Sequence, residues 1–131
     1  MIEVPGHILK EVAARLQECG QVTGINIKRL KVTYDIKTAG LYGDAAYSWM
    51  NHIRFNPVYL VHCTDWYISN IVPHEWAHLA TFRKHTPGVR AHGKEWKDMM
   101  VTVGAAPLRC YDIPPLPGHV KIGPRNRFII S

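Results

Sequence analysis

Residues 74–78 read His-Glu-Trp-Ala-His, inside the longer run IVPHEWAHLA. Side chains four residues apart lie on one face of an α-helix, so the imidazoles of His74 and His78 can reach one metal ion. Glu75 projects from the same side, where it can accept a proton from a water whose pKa a bound zinc lowers to about 7. The pattern H-E-x-x-H therefore predicts the active-site helix of a zinc metallopeptidase.

The other face of this predicted helix is apolar, with Val72, Trp76 and Leu79. One face would then join the core and the other would line a cleft. Pro73 precedes the first histidine, and a proline inside a helix removes a hydrogen bond and kinks the helix. We expect either a kink at this position or a fresh helix start with proline in its first turn. The alternative for the motif is an ordinary amphipathic helix with two histidines on its polar face.

A catalytic zinc site has three protein ligands and one open position, so a further ligand is needed. His92 is the first candidate, and it lies at or just before the start of a second predicted helix. A turn-rich loop over residues 86–90 can bring this segment back to the motif. Glu95 is the rival ligand, because some zinc peptidases supply a glutamate from a second helix, and the two residues are three apart and could both face the ion. The alternative for His92 is a helix-capping or solvated histidine. The apolar residues that define the second helix are Trp96, Met99, Met100 and Val103.

Together, H-E-x-x-H at 74–78 and H-G-x-x-W at 92–96 resemble the SprT-like metallopeptidase family, which includes the Spartan DNA–protein crosslink proteases. The resemblance covers roughly residues 24–104. It implies one zinc ion per chain, with Glu75 as general base, and it implies DNA-bound or DNA-crosslinked proteins as a substrate class. The zinc ligands that it implies are His74, His78 and His92. Further positions that resemble the bacterial SprT branch are Pro73, Lys94, Lys97, Met99 and Met100.

Length and composition favour one globular domain that carries positive charge. The chain has 131 residues, of which 47% are hydrophobic, and this excludes a disordered protein. Its 16 Lys and Arg against 10 Asp and Glu leave a formal net charge of +6. Such a balance favours sequence-independent contact with nucleic acid, although it is also common in basic soluble proteins. The candidate DNA contacts flank the catalytic elements: Lys28, Arg29, Lys31, Arg83, Lys84, Arg90, Lys94 and Lys97.

Other patterns bear on the protein's surroundings. There is no run of 18 apolar residues, and the N-terminus lacks the apolar segment of a signal peptide. The three cysteines are far apart and form no C-x-x-C pair. We therefore expect a cytoplasmic protein from a bacterium or a phage-infected cell, without membrane contact, and we favour a monomer.

The predicted fold is an α+β, zincin-like domain over residues 1–106, with an N-terminal helix, a small, mostly antiparallel or mixed sheet, the motif helix and a second helix. An edge of that sheet could hold an extended peptide by strand addition. The elements expected outside the motifs are a helix over 7–19 that stops at Gly20, one or two strands over 24–37, a turn over 40–43, strands over 46–49 and 52–55, and a strand or helix over 58–72 with Thr64 or Asp65 as a cap.

Residues 107–131 are rich in proline and glycine and are basic. We expect an irregular tail that packs on the domain or extends from it, with one short strand over 119–122. SprT proteins commonly carry a C-terminal cysteine zinc ribbon, and residues 1–131 contain none. For this short form the resemblance implies only modest DNA affinity.

The favoured function is zinc-dependent peptide-bond hydrolysis. The alternative is a non-catalytic DNA-binding or partner-binding protein with a zinc-stabilised fold. Structural zinc sites usually have four protein ligands, often cysteines, and they have no need of Glu75. The sequence selects no residue for oxyanion stabilisation, because the tyrosine, histidine and arginine candidates are too many.

Overall fold

The computed structural model describes residues 2–46, 50–85, 90–109, 111–112 and 114–123. Within these ranges the chain forms an α+β fold of four helices and one three-stranded sheet. This confirms the predicted fold class. The elements in chain order are α1 (Gly6–Thr23), β1 (Lys31–Thr33), β2 (Gly43–Ala46), β3 (His52–Phe55), α2 (Pro57–His62), α3 (Thr64–His85) and α4 (Lys94–Thr102).

The sheet has the strand order β1-β3-β2 and is mixed. β1 runs parallel to β3, whereas β2 runs antiparallel to it. We expected a mostly antiparallel or mixed sheet, and the sheet is mixed, with one antiparallel and one parallel pairing. On the central strand β3, Ile53 and Phe55 are buried, and His52 and Arg54 are partly exposed, as the two-residue period of a strand requires. β2 begins at Gly43, three residues before the start of the strand expected over 46–49, and residues 47–49 lie outside the described ranges.

The structure differs from the predictions at the end of the first helix and in the segment that follows it. Helix α1 continues through Gly20 and ends at Thr23. Gly24 adopts a left-handed φ of 73° and its N–H caps the Gly20 carbonyl at 2.9 Å, a conformation that glycine adopts without steric cost. Of the strand expected over 24–37, only β1 forms. The alternating apolar residues before it pack against the core from a loop.

The ambiguous stretch over 58–72 is helical. Asn56 caps α2 by accepting a hydrogen bond from the Val58 N–H at 3.1 Å, and Pro57 occupies the first helical turn. α3 begins at Thr64 itself, whose hydroxyl donates to the Leu60 carbonyl at 2.8 Å, so the expected capping role for this residue is wrong. α3 then runs through Pro73 without interruption, which excludes a fresh helix start there.

α3 is the centre of the molecule. It packs against α1, α2, α4 and β2, and every residue from 71 to 81 is buried. The motif residues therefore lie inside the protein. They are not on an ordinary amphipathic helix with one face exposed to solvent. This burial fixes the side chains of the motif more firmly than an exposed helix could.

The described part of the C-terminal tail packs on the body of the protein. Tyr111, Leu116 and Ile122 contact the core. Gly123 forms a parallel bridge with Thr38, through a bond from its N–H to the Lys37 carbonyl at 2.8 Å and one from the Ala39 N–H to its carbonyl at 3.0 Å. No strand forms over 119–122, so that expectation is wrong.

Candidate metal centre

Three imidazoles converge at the junction of α3 and α4. His92 Nε2 lies 3.1 Å from His78 Nε2 and 3.1 Å from His74 Nε2. The ligand atoms of all three side chains lie within 4.8 Å of one another. Two nitrogens each about 2.0–2.1 Å from one tetrahedral ion would be roughly 3.3 Å apart. The triangle therefore fits a single metal ion.

The backbone of His92 is unusual. Its φ of 60° is left-handed, a strained conformation for a residue with a side chain. Gly93, and not His92, is the N-cap of α4, so the capping alternative for the histidine is wrong. Among the described residues, Glu95 is not part of the converging group. The structure thus places His92, and not Glu95, beside the two histidines of the motif.

The electrostatics favour metal binding by neutral imidazoles. Burial, and then the neighbouring histidines, lower the pKa of His74 and of His78 to about 3. The pKa of His92 is lowered by burial and then by the nearby charge of Arg109. All three rings are therefore uncharged at neutral pH, which is the form that binds metal. Three imidazole nitrogens suit zinc, among other transition metals.

The Glu75 side chain is buried in a narrow space between α3 and β2. It is 2% exposed, its Oε1 has no hydrogen-bond partner, and its Oε2 lies 3.9 Å from His74 Nε2. Burial, and then the charge of Asp44, raise its pKa well above the ordinary value. A Cβ atom at Gly43 would lie 2.8 Å from the Glu75 side chain, so only glycine leaves room for the carboxyl. Sequence reasoning assigned Gly43 to a turn, although a glycine inside a strand often marks such a close approach.

Trp96 supports the cluster from α4. Its ring is fully buried and stacks on the His78 ring, with the two ring centroids 5.5 Å apart. The centroid of the His92 ring lies 4.8 Å from that of Trp96. Its indole N–H donates to the His74 carbonyl at 3.3 Å. Trp96 therefore contacts all three histidines and fixes the distance between the two helices. Tyr111 also reaches the cluster, with its ring 6.0 Å from that of His74, and sequence reasoning missed it because it follows both motifs.

The eight basic residues proposed for DNA contact are all exposed, but the structure brings only some of them together. Asn51 joins three of them. Its side-chain amide donates to the Lys28 carbonyl at 2.8 Å and accepts from Arg83 Nε at 2.9 Å, while its carbonyl accepts from the Lys31 N–H at 2.8 Å. Lys94 instead forms an ion pair with Asp98 at 2.8 Å, which offsets its charge.

Two buried histidines and one half-buried histidine, beside a buried carboxyl at the centre of an α+β fold, define a candidate metal-binding protein. The model of the SprT-like family matches residues 9–117. The chain belongs to that family, and the match extends beyond the 24–104 expected from the motifs. No described helix is long and apolar enough to cross a membrane.

Relatives named "Protein SprT" are 33% identical to this chain over 108 residues, which is 82% of the chain. They include proteins from Shigella dysenteriae serotype 1 (strain Sd197), Escherichia coli O1:K1 / APEC and Escherichia coli O139:H28 (strain E24377A / ETEC). The match spans 64% of the length of these relatives. No solved structure matches the chain.

Proposed function

We propose that this protein is a zinc-dependent metalloendopeptidase of the zincin type, with His74, His78 and His92 as metal ligands and Glu75 as general base. The observation that carries the proposal is the position of Glu75. A buried carboxyl without a hydrogen bond to Oε1 destabilises a fold, so a purely structural metal site does not account for it. A proton acceptor beside the metal, shielded from bulk water, does account for it.

Zinc, when bound by the triad, would act as a Lewis acid on a carbonyl and on water, and its charge would favour the ionised form of Glu75. Glu75 would take a proton from the attacking water and pass it to the leaving amine. β2 lies at the edge of the sheet and faces Glu75 through Gly43, so an extended peptide paired with β2 would run past the carboxyl.

The test of this proposal is Glu75→Gln. We expect this variant to retain about one zinc per chain and to lose cleavage of casein, because the change removes a proton acceptor and no ligand. Metal analysis and a gel-based cleavage assay measure both quantities. The matched control is Glu95→Gln, which should keep metal and activity. Loss of zinc from Glu75→Gln would show that the carboxylate is a ligand, and zinc binding without cleavage by the wild type would favour the non-catalytic alternative.

We further propose that DNA-bound or DNA-crosslinked proteins are the substrates, and that DNA binds without sequence specificity. The net charge of +6 and the grouping of Lys28, Lys31 and Arg83 around Asn51 support this proposal. Contacts to phosphate release counterions, so affinity should fall steeply with salt and lie roughly in the 10⁻⁴–10⁻⁶ M range.

Fluorescence anisotropy with single- and double-stranded DNA across a salt series measures this affinity. Lys28→Gln combined with Lys31→Gln should reduce both the affinity and the salt slope, whereas Lys10→Gln on α1 should change neither. Absence of binding at low salt, with free proteins cleaved at an undiminished rate, would leave a general metallopeptidase.

A further inference from the structure

The chain beyond α4 returns to the histidine cluster. The Ala105 N–H donates to the Met100 carbonyl at 2.9 Å, and this directs the following residues back across the end of the helix. Further on, the thiol of Cys63 contacts the Pro114 carbonyl at 3.9 Å. Tyr111 lies between these two attachments. The tail therefore contributes a wall to the site, and its position is fixed on both sides of Tyr111.

The ring of Tyr111 packs between two aromatic side chains. It lies 6.0 Å from the His74 ring and 6.3 Å from the Trp66 ring, in edge-type contacts. The side chain is half-buried, so part of it stays exposed to solvent beside the cluster. Packing of this kind holds the ring in place while the hydroxyl remains accessible.

The hydroxyl of Tyr111 forms a weak hydrogen bond in the structure. It donates to the Ala106 carbonyl at 3.1 Å, in an exposed bond to a neutral acceptor. An exposed bond between neutral groups contributes little to stability, because water competes for both partners. An anionic oxygen is a stronger acceptor than a neutral carbonyl, so the hydroxyl can turn to such an oxygen when one forms nearby.

We propose that Tyr111 is a catalytic residue that donates a hydrogen bond to the carbonyl oxygen of the scissile peptide bond as negative charge develops on that oxygen. This inference rests on the proposed peptidase function. Water attacks the carbonyl carbon, its proton passes to Glu75, and the C=O electron pair moves to the oxygen that Tyr111 contacts. The pair then returns as the C–N bond breaks, and the leaving nitrogen takes the proton from Glu75. Tyr111 keeps its own proton throughout.

Trp96 and Arg109 also offer donors near the triad, and neither fits this role as well. The indole N–H of Trp96 is buried and already donates to the His74 carbonyl. Arg109 is exposed, and its charge is felt by His92, so it is better placed to attract substrate than to hold one atom. The ordinary pKa of a tyrosine phenol is about 10, so the hydroxyl keeps its proton at neutral pH.

The test is Tyr111→Phe, which keeps the ring and removes the hydroxyl. We expect kcat to fall about 10²–10³-fold, as for loss of one oxyanion donor, with KM changed by less than ~3-fold. Zinc content should not change, and the denaturation midpoint should fall only slightly, because the variant loses one exposed hydrogen bond to Ala106. The matched control is Tyr34→Phe, another half-buried tyrosine, whose ring packs 5.9 Å from that of Phe55.

A binding measurement gives a second readout that does not depend on turnover. A phosphinic peptide carries an anionic oxygen on a tetrahedral centre, so Tyr111→Phe should weaken its binding to the zinc-loaded protein by ~10-fold or more. Binding of an uncleaved substrate peptide to the Glu75→Gln protein should not depend on Tyr111.

Each other result overturns the inference in a distinguishable way. An active wild type with unchanged kcat and unchanged phosphinic affinity in Tyr111→Phe removes the role of Tyr111 and leaves the peptidase function intact. Loss of zinc or of stability, with kcat per bound zinc unchanged, makes Tyr111 a packing residue only. No cleavage by the wild type removes both the inference and the function on which it rests.

Discussion

Glu75 is a single residue whose position costs stability and supports the proposed chemistry. Its carboxyl is almost fully shielded from solvent, and Oε1 has no hydrogen-bond partner. The carboxyl fits beside β2 only because Gly43 has no Cβ atom. Burial of this kind favours the neutral acid and destabilises the carboxylate. Proteins keep such groups where activity requires them, at the expense of the folded state. The metal-free wild type should therefore be less stable at alkaline pH than Glu75→Gln, in which the neutral isostere of glutamate replaces Glu75.

The prediction at this scale is that Glu75→Gln stabilises the metal-free protein more at pH 8 than at pH 5. The folded pKa of Glu75 lies above its ordinary value of 4.5, so its contribution to stability is present below pH 4.5 and is lost as pH rises through the folded pKa. Glutamine does not titrate and removes this loss. A gain of about 1 kcal/mol would raise Tm by roughly 3–6 °C in a chain of this size.

Thermal unfolding in the presence of a chelator measures this effect. Glu95→Gln, which changes a carboxyl of the same kind on α4, should show no such dependence on pH. Equal Tm values for the wild type and Glu75→Gln at pH 8 would contradict the prediction.

Two helices together build the metal centre. α3 holds His74 and His78 one turn apart and buried, because its neighbours cover it on several sides. α4 contributes Trp96, which contacts the three rings, and it follows the left-handed His92. Strain at His92 is tolerated more readily than at most residues, since histidine is enriched in this conformation. His92, the proposed third ligand, is thus positioned by the approach to α4 and not by the helix itself.

We predict that His92→Ala lowers zinc affinity by more than the roughly 10–100-fold that loss of an outer partner costs, because it removes one of three ligands. Glu95→Ala should leave affinity within a few-fold of the wild type, since Glu95 is outside the converging group. Competition with a chromophoric chelator measures both values. The reverse order, with zinc lost from Glu95→Ala and kept in His92→Ala, would assign the site to the glutamate-ligand kind.

In the molecule as a whole, the tail and the body are joined at several points. Gly123 bridges to Thr38, Pro114 contacts Cys63, and Tyr111 packs on His74. These attachments place the described residues after α4 against the body of the protein, including α3. The family match to residue 117 agrees with this arrangement, since it includes Tyr111. We propose that the domain extends beyond the 106 residues expected from composition.

We predict that Gly123→Ala destabilises the protein by about 1–3 kcal/mol, the usual cost of forcing extra volume into a packed site. A Cβ atom there would collide with the Lys37 carbonyl that accepts the bridging hydrogen bond. Gly118→Ala is the control, because a Cβ at that position meets nothing within 4 Å. Urea denaturation measures the difference. Identical midpoints for the two variants would mean that the tail contributes nothing to the stability of the fold.

The features that the sequence determined by itself are those that depend on neighbours close in the chain. The spacing of His74 and His78, and the apolar period that defines α4, follow from the geometry of one helix. His92 was found in the same way, from its position ahead of that helix. The α+β class also followed, since helical and alternating patterns are both local.

Only the tertiary structure decided the features that join residues distant in the chain. The parallel pairing of β1 with β3 joins two strands that β2 separates in the chain. The register of such a pair cannot be derived from one strand alone. The narrow space between Gly43 and Glu75 exists because β2 packs against α3. Tyr111 reaches His74 only because the tail turns back over α4. Such contacts form when separate elements pack, and no period within a single segment encodes them.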